Sequence, residues 1–189
     1  NRKSKILILE KGILPFGAST KNAGFACFGS VSELIDDIKN SNEKTVFETL
    51  KMRWEGLQLL KQNLGEKNML YKGFGGTEWF STKFEYETNL NQINYLNKSI
   101  EDLIGLKSTF NRSENFVKNK IYGAIKNKHE GQIDTSLMMY NLTSLVRSLG
   151  IEILNNVNVL NIYSTSNSVQ LHTTVGDFNC SKCVVAVNG

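Results

Sequence analysis

Ile6-Leu7-Ile8-Leu9-Glu10, running on into the glycine-rich loop Gly12 to Gly29, is the stretch whose reading decides the fold. A short, unbroken apolar run closed by a carboxylate reads as a buried strand of a parallel sheet. Placed before such a loop, it fits the second strand of a dinucleotide-binding βαβ unit. There the acidic side chain accepts hydrogen bonds from the hydroxyls of an adenosine ribose. In that unit the glycine-rich phosphate turn precedes the acid by about 20 residues. Only nine residues precede Glu10, and Asn1-Arg2-Lys3-Ser4-Lys5 has no glycine. The expectation is therefore an internal piece of a longer enzyme, without the first strand, the phosphate turn and most of the first helix.

Outward from this stretch, Ser30-Val31-Ser32-Glu33 has capping-box spacing and opens a helix with Val31, Leu34, Ile35 and Ile38 on one face. Ser41-Asn42 restarts a longer helix carrying Val46, Leu50, Trp54, Leu57 and Leu64, and Gly65 is its predicted stop. Met69 to Tyr71 and Thr77 to Phe80 read as two short strands of a hairpin around Gly73-Phe74-Gly75-Gly76. No helix start follows that turn, which argues against a phosphate loop. A third helix is predicted over Phe84 to Gly105, with Tyr86, Leu90, Ile93, Leu96 and Ile100 inward. Phe116 to Ile125 reads as extended, broken at Gly123.

Asp134 caps the next predicted helix, whose apolar stripe is Leu137, Met138, Leu142, Leu145, Val146 and Leu149 and which Gly150 ends. Ile151 to Leu154 is the following strand. Val157 to Tyr163, Ser168 to Thr174, and Asp177 to Cys180 with Val184 to Val187 then form a β-meander. This order predicts an α/β fold: an incomplete doubly wound, Rossmann-like sheet with a β-meander, interrupted by part of an α+β region. The expected division is 1–59, 60–128 and 129–189, the outer two forming one discontinuous domain.

The 189 residues are 40% hydrophobic and 21% charged, the composition of an ordinary folded domain. The net charge of +4 is spread along the chain in ones and twos. Nucleic-acid binding needs clustered cations matched to phosphates, so no nucleic-acid partner is expected. No apolar run reaches the roughly 20 residues that span a bilayer. Cys27, Cys180 and Cys183 are an odd count without a paired framework, which fits a reducing compartment and a cytoplasmic location. Cys180-Ser-Lys-Cys183 has metal-knuckle or redox spacing. It leads into an apolar strand rather than a helix, and only His129 and His172 are available as further imidazole ligands, so no metal is expected.

Taken together, Ile6 to Gly12, Gly17-Ala-Ser-Thr-Lys-Asn-Ala-Gly24, Glu130-Gly-Gln-Ile-Asp134, Gly150-Ile-Glu-Ile-Leu, Val157-Asn-Val159 and Val184-Val-Ala-Val-Asn-Gly189 have a recognisable order. The chain resembles the D-amino-acid-oxidase-like (glycine and sarcosine oxidase-like) family of FAD-dependent oxidoreductases over nearly its whole length. The region from Leu60 to Lys128 corresponds only to a loosely defined substrate-side part.

The resemblance implies an FAD cofactor, a small amine or amino-acid substrate, and hydride transfer to the flavin. It implies that Glu10, with Lys11 beside it, takes the ribose hydroxyls. Ser19 and Thr20 reach the pyrophosphate. Asn22, Ala23 and Gly24 pass close to the flavin ring. Val159 meets the adenine, and Asn188 and Gly189 approach the phosphates. Lys21 either neutralises a phosphate or faces water. Arg2, Arg53, Arg112 and Arg147 are the only arginines, and none is assigned to substrate, so the catalytic residues stay unnamed. The alternative from another class is a non-catalytic remnant that keeps the fold without a cofactor. A nicotinamide-dependent reductase would share the ribose carboxylate, but it gives no reason for the Ser-Thr-Lys-Asn-Ala-Gly loop.

Overall fold

A computed structural model of the chain describes residues 4–114 and 121–187. In chain order the elements begin with β1 (Leu7–Leu9), β2 (Phe25–Ala26), α1 (Val31–Asn40) and α2 (Glu43–Leu64). A 3₁₀ turn, Glu66–Met69, leads to β3 (Gly76–Phe80), α3 (Lys83–Leu90), α4 (Ile93–Ile104), β4 (Phe110–Ser113), β5 (Gly123–Asn127) and β6 (Gly131–Gln132). The chain closes with α5 (Thr135–Ser148), β7 (Glu152–Leu154), β8 (Val159–Ser164), β9 (Val169–Thr173) and β10 (Gly176–Cys180). These elements divide into two units, 24–134 and the discontinuous pair 1–23 with 135–189.

The 24–134 unit holds the hydrophobic core. Phe28, Val31, Leu34, Leu50, Leu96, Ile100, Phe110 and Ile125 are each at most 2% exposed and pack as one cluster. The helices start and stop where local chemistry dictates. Ser30 Oγ accepts the Glu33 amide, and Asn42 Oδ1 accepts the Thr45 amide at 2.8 Å. Gly65, at φ +83°, ends α2. β3, β5 and β4 form an antiparallel sheet in that order, with Phe80 opposite Gly123 and Phe110 opposite Asn127. Asn97 on α4 binds both the N–H and the C=O of Phe110, at 2.7 and 2.9 Å, and so pins helix to sheet. The two ends of the unit pair with each other through β2 and β6, and the Ile133 amide donates to Gly24 O at 2.8 Å.

The other unit contains the parallel pair β1–β7, with Leu7, Ile8 and Leu9 opposite Glu152, Ile153 and Leu154. It also contains the antiparallel meander β8–β9–β10, with a bulge between Val159 and Asn161. Gly150, at φ +76°, turns α5 into β7.

Three sequence expectations are corrected. Met69 to Tyr71 is not a strand of a hairpin: Met69 closes the 3₁₀ turn, Leu70 turns left-handed at φ +47°, and β3 pairs with β5 instead. The predicted helix over Phe84 to Gly105 is two helices. The amides of Asn91 and Gln92 fold back on Asn89 O in a tighter turn, although Tyr86, Ile93, Leu96 and Ile100 are all buried as expected. Val184 to Val187 joins no ladder among the described residues, and Val184 and Val187 are 89% and 79% exposed. An apolar β-branched run has strand propensity, but a strand exists only where a neighbour supplies hydrogen bonds. Of the extended run expected over Phe116 to Ile125, residues 116–120 lie outside the described residues, and β5 begins at Gly123.

Candidate functional site

β1 delivers Glu10 to the carboxyl end of a parallel strand pair, the place where open α/β sheets bind ligands. The Glu10 amide extends the ladder to Leu154 O at 2.9 Å, and its carbonyl accepts the Val157 amide at 3.0 Å. Both backbone groups are thereby fixed, and the half-buried side chain turns back over its own loop. Glu10 Oε1 accepts the Gly12 amide at 2.7 Å. Gly12 has little room for anything larger, because a β-carbon there would stand 2.5 Å from Leu14 O and 3.1 Å from Glu10 Oε1. No bond to Glu10 Oε2 occurs among the described residues, so that oxygen is available to a hydroxyl ligand. Lys11 is exposed beside it.

The loop that follows is organised by its own polar side chains. The amides of Thr20 and Lys21 donate to Gly17 O at 3.0 and 2.8 Å, while Thr20 Oγ1 bridges the amide and carbonyl of Gly17. Ser19 stands exposed at the turn. Lys21 places its ammonium 3.5 Å from the centre of the Phe16 ring, a cation–π contact. Asn22 donates to Ala18 O and accepts from Thr135 Oγ1, both at 2.9 Å, tying the loop to the first residue of α5. Ala23 is exposed. Val159 is half-buried at the start of β8, opposite Thr173 and beside the bulge. Asn188 and Gly189 lie outside the described residues. Within this unit, a backbone bond joins Glu10 to the approach of β8, and a side-chain bond joins Asn22 to α5. The Gly17–Lys21 turn is closed on itself.

In the 24–134 unit, Gly24 is buried at φ +76°. Sequence reasoning missed the residue that organises the segment after it. Glu130, 7% exposed, accepts the amides of Phe28 and Gly29 at 3.1 and 3.4 Å. Burial pushes its carboxyl above the ordinary range, the Glu33 charge adds to this, and the two amides with Asn127 oppose it. Nearby, Glu78 on β3 receives Ser30 Oγ, the Ser32 amide and Ser32 Oγ at the start of α1. Burial and then the Glu130 charge push the Cys27 thiol up. Glu130 opens the Glu130-Gly-Gln-Ile-Asp134 block of the resemblance, which gives it no role, and Glu78 has no sequence signal, because a glutamate beside a glycine-rich turn has the composition of solvated loop. No group of three or more His, Cys, Asp or Glu side chains able to hold a metal occurs among the described residues.

The whole chain, residues 1–189, matches the FAD-dependent oxidoreductase family profile. The chain belongs to that family. Its fold is shared with glycine oxidase from Bacillus cereus ATCC 14579, at a TM-score of 0.63 and 19% identity over 96% of this chain and 49% of that one. L-proline dehydrogenase from P. horikoshii gives a TM-score of 0.68 at 14% identity, over 98% and 53%. L-amino acid deaminase from Proteus myxofaciens gives 0.66 at 16%, over 95% and 39%. At these identities the likeness is one of fold. Among curated proteins, no sequence matches the chain. The chain thus spans about half the length of the glycine oxidase and proline dehydrogenase chains. The mixed α/β architecture expected for an incomplete FAD-binding fold agrees with that coverage. No helix among the described residues is long and apolar enough to cross a membrane. The donor and acceptor set fits the cofactor's adenosine end, since a carboxylate with one uncommitted oxygen at a strand terminus suits a vicinal diol.

Proposed function

We propose that the intact protein oxidises the C–N bond of an amino acid or related small amine, using FAD as hydride acceptor. The observation that carries this reading is Glu10: a carboxylate held by Gly12 at the carboxyl end of the β1–β7 pair, with its second oxygen unbonded among the described residues. The family match over residues 1–189 supports the cofactor. Glu10 holds the ribose hydroxyls, with Lys11 alongside. Ser19 and Thr20 supply hydroxyls and amides to the pyrophosphate. Asn22, Ala23 and Gly24 line the approach to the ring, Val159 borders the adenine, and Asn188 and Gly189 complete the phosphate side. Residues 1–59 and 129–189 serve the cofactor, and 60–128 contribute to the substrate side. When bound, the flavin supplies the redox chemistry, and the protein's share is to orient it and exclude water.

The test is to purify the intact protein, incubate it with FAD, remove the excess and record the visible spectrum before and after anaerobic addition of single amino acids. The expected result is bound flavin that bleaches with at least one amino acid or amine. A protein that retains no flavin refutes the reading and favours a non-catalytic remnant of the same fold.

A further inference from the structure

The Gly73-Phe74-Gly75-Gly76 turn, which forms no hairpin, has a different use in the structure. Gly75 adopts φ +82° and donates its amide to Glu130 O at 2.9 Å. A β-carbon on Gly76 would sit 2.0 Å from Glu130 Oε2. The absent side chain is therefore the space that the carboxylate occupies. Seated there, Glu130 turns its other oxygen to the amides of Phe28 and Gly29. Those amides belong to a stretch that cannot bond to its own helix, because α1 starts only at Val31. Phe28 is itself 1% exposed and stacks edge-on against Trp54 at 5.6 Å, so the two donors have no route to water. Buried donors need an acceptor, and a carboxylate can take two at once. On the other side of the same segment, β2–β6 pairing and the Ile133-to-Gly24 bond fix residues 24–26.

We propose that Glu130 is a positioning residue for flavin binding. Its carboxylate, housed by Gly76, clamps the backbone at Phe28 and Gly29, the end of the Gly24–Gly29 segment opposite to the one that β2–β6 and Ile133 hold, and so sets the course of the segment opened by Gly24, the residue of this unit assigned to the flavin side. The ligand in this statement rests on the function proposed above, whereas the clamp rests on Glu130, Gly76 and the two amides alone. A side chain that merely filled volume would be replaceable by an apolar residue of its size. A clamp is replaceable only by another acceptor of the same reach.

The experiment uses the intact protein with the substitutions Glu130→Ala, Glu130→Gln and Glu130→Leu. Hydrogen exchange of peptides covering 24–29 reports the clamp, and FAD affinity with the bound-flavin spectrum reports positioning. Glu130→Ala and Glu130→Leu should speed exchange at Phe28 and Gly29 by about tenfold or more while leaving α4 unchanged. They should weaken FAD binding by about tenfold and shift the flavin spectrum, since a hydrogen bond to a charged acceptor carries that much. Glu130→Gln, which keeps an oxygen at the same reach, should restore both readouts to within about threefold. If the apolar variants do not fold, Glu130→Asp serves the same purpose, because its oxygens are drawn back by one methylene. Unchanged exchange in Glu130→Leu overturns the clamp. Faster exchange with unaltered FAD affinity and spectrum overturns the positioning role. A wild-type protein that takes up no FAD overturns the functional reading and the positioning role together, and exchange alone then decides the clamp.

Discussion

Gly12 and Glu10 act as one device. The carboxylate can fold back onto the loop only because no β-carbon stands between it and Leu14 O. Gly12→Ala should destabilise the chain by about 1–3 kcal/mol through this overpacking, read as a lower denaturation midpoint in urea. Glu10→Gln should leave the midpoint nearly unchanged while weakening FAD binding by the intact protein about tenfold or more, measured by flavin fluorescence titration. A second residue-scale prediction follows from burial at Glu130. Its pKa is raised in the folded chain, so the folded state binds more protons than the unfolded state once pH passes the ordinary carboxylate range. Stability should therefore be fullest below that range and decline as pH rises from about 4.5, the ordinary value, through the raised one. Burial sets the size of the effect first; the amides of Phe28 and Gly29 and the Asn127 side chain reduce it, and the Glu33 charge adds to it. Glu130→Gln should flatten this part of the profile in thermal melts across pH 4 to roughly 7.

At the scale of elements, what was legible depended on whether the code was local. Ser30, Asn42, Gly65 and Gly150 mark boundaries with their own side chains or their own φ, and the helices start and stop beside them. β2, β4 and β6 were invisible because strands of two to four residues are made by their partners and have no periodicity of their own. Met69 to Tyr71 shows the converse error. Apolar residues after a helix looked like a strand, while burial of Met69 within a 3₁₀ turn satisfied them better. The candidate site divides the same way. Glu10 was readable from the strand before it, whereas Glu130 acts across about a hundred residues on Phe28, and no local pattern gives it that role. Asn97 is another non-local signal, joining α4 to β4 through both backbone groups of Phe110. Asn97→Ala should cost about 1–3 kcal/mol in chemical denaturation, because a buried amide and carbonyl lose their partner.

Over the whole molecule, the two units differ in how they treat apolar surface. The 24–134 unit has a buried cluster of large side chains, although Phe25, Met52, Trp79 and Phe84 stay exposed on it. In the other, Ile6, Leu7, Ile8, Val184, Val185 and Val187 are all at least 36% exposed. β1 has a partner on one edge alone among the described residues, and unpaired apolar strands favour association. The isolated 189-residue chain should self-associate at micromolar concentration in sedimentation velocity, and Val184→Lys with Val187→Lys should shift it toward monomer. A chain that sediments as a monomer without these changes would contradict this assignment of sticky surface.

The pairing of β2 with β6 has a consequence for how the chain reaches this state. Leu7 must find Glu152 to form the parallel pair, a loop closure of high contact order and correspondingly slow. The segment in between closes on itself, with its first carbonyl bonded to its penultimate amide. Once folded, that segment behaves as a short tether, so the loop closed by joining β1 to β7 shrinks to the stretches 10–23 and 135–151 and no longer includes the entire insert. It is also synthesised in full before β7 leaves the ribosome. The topology thereby favours one order of events: the insert matures first and shortens the closure that pairs β1 with β7. In pulse-labelled refolding, amides of α2 and β5 should gain protection before those of β1.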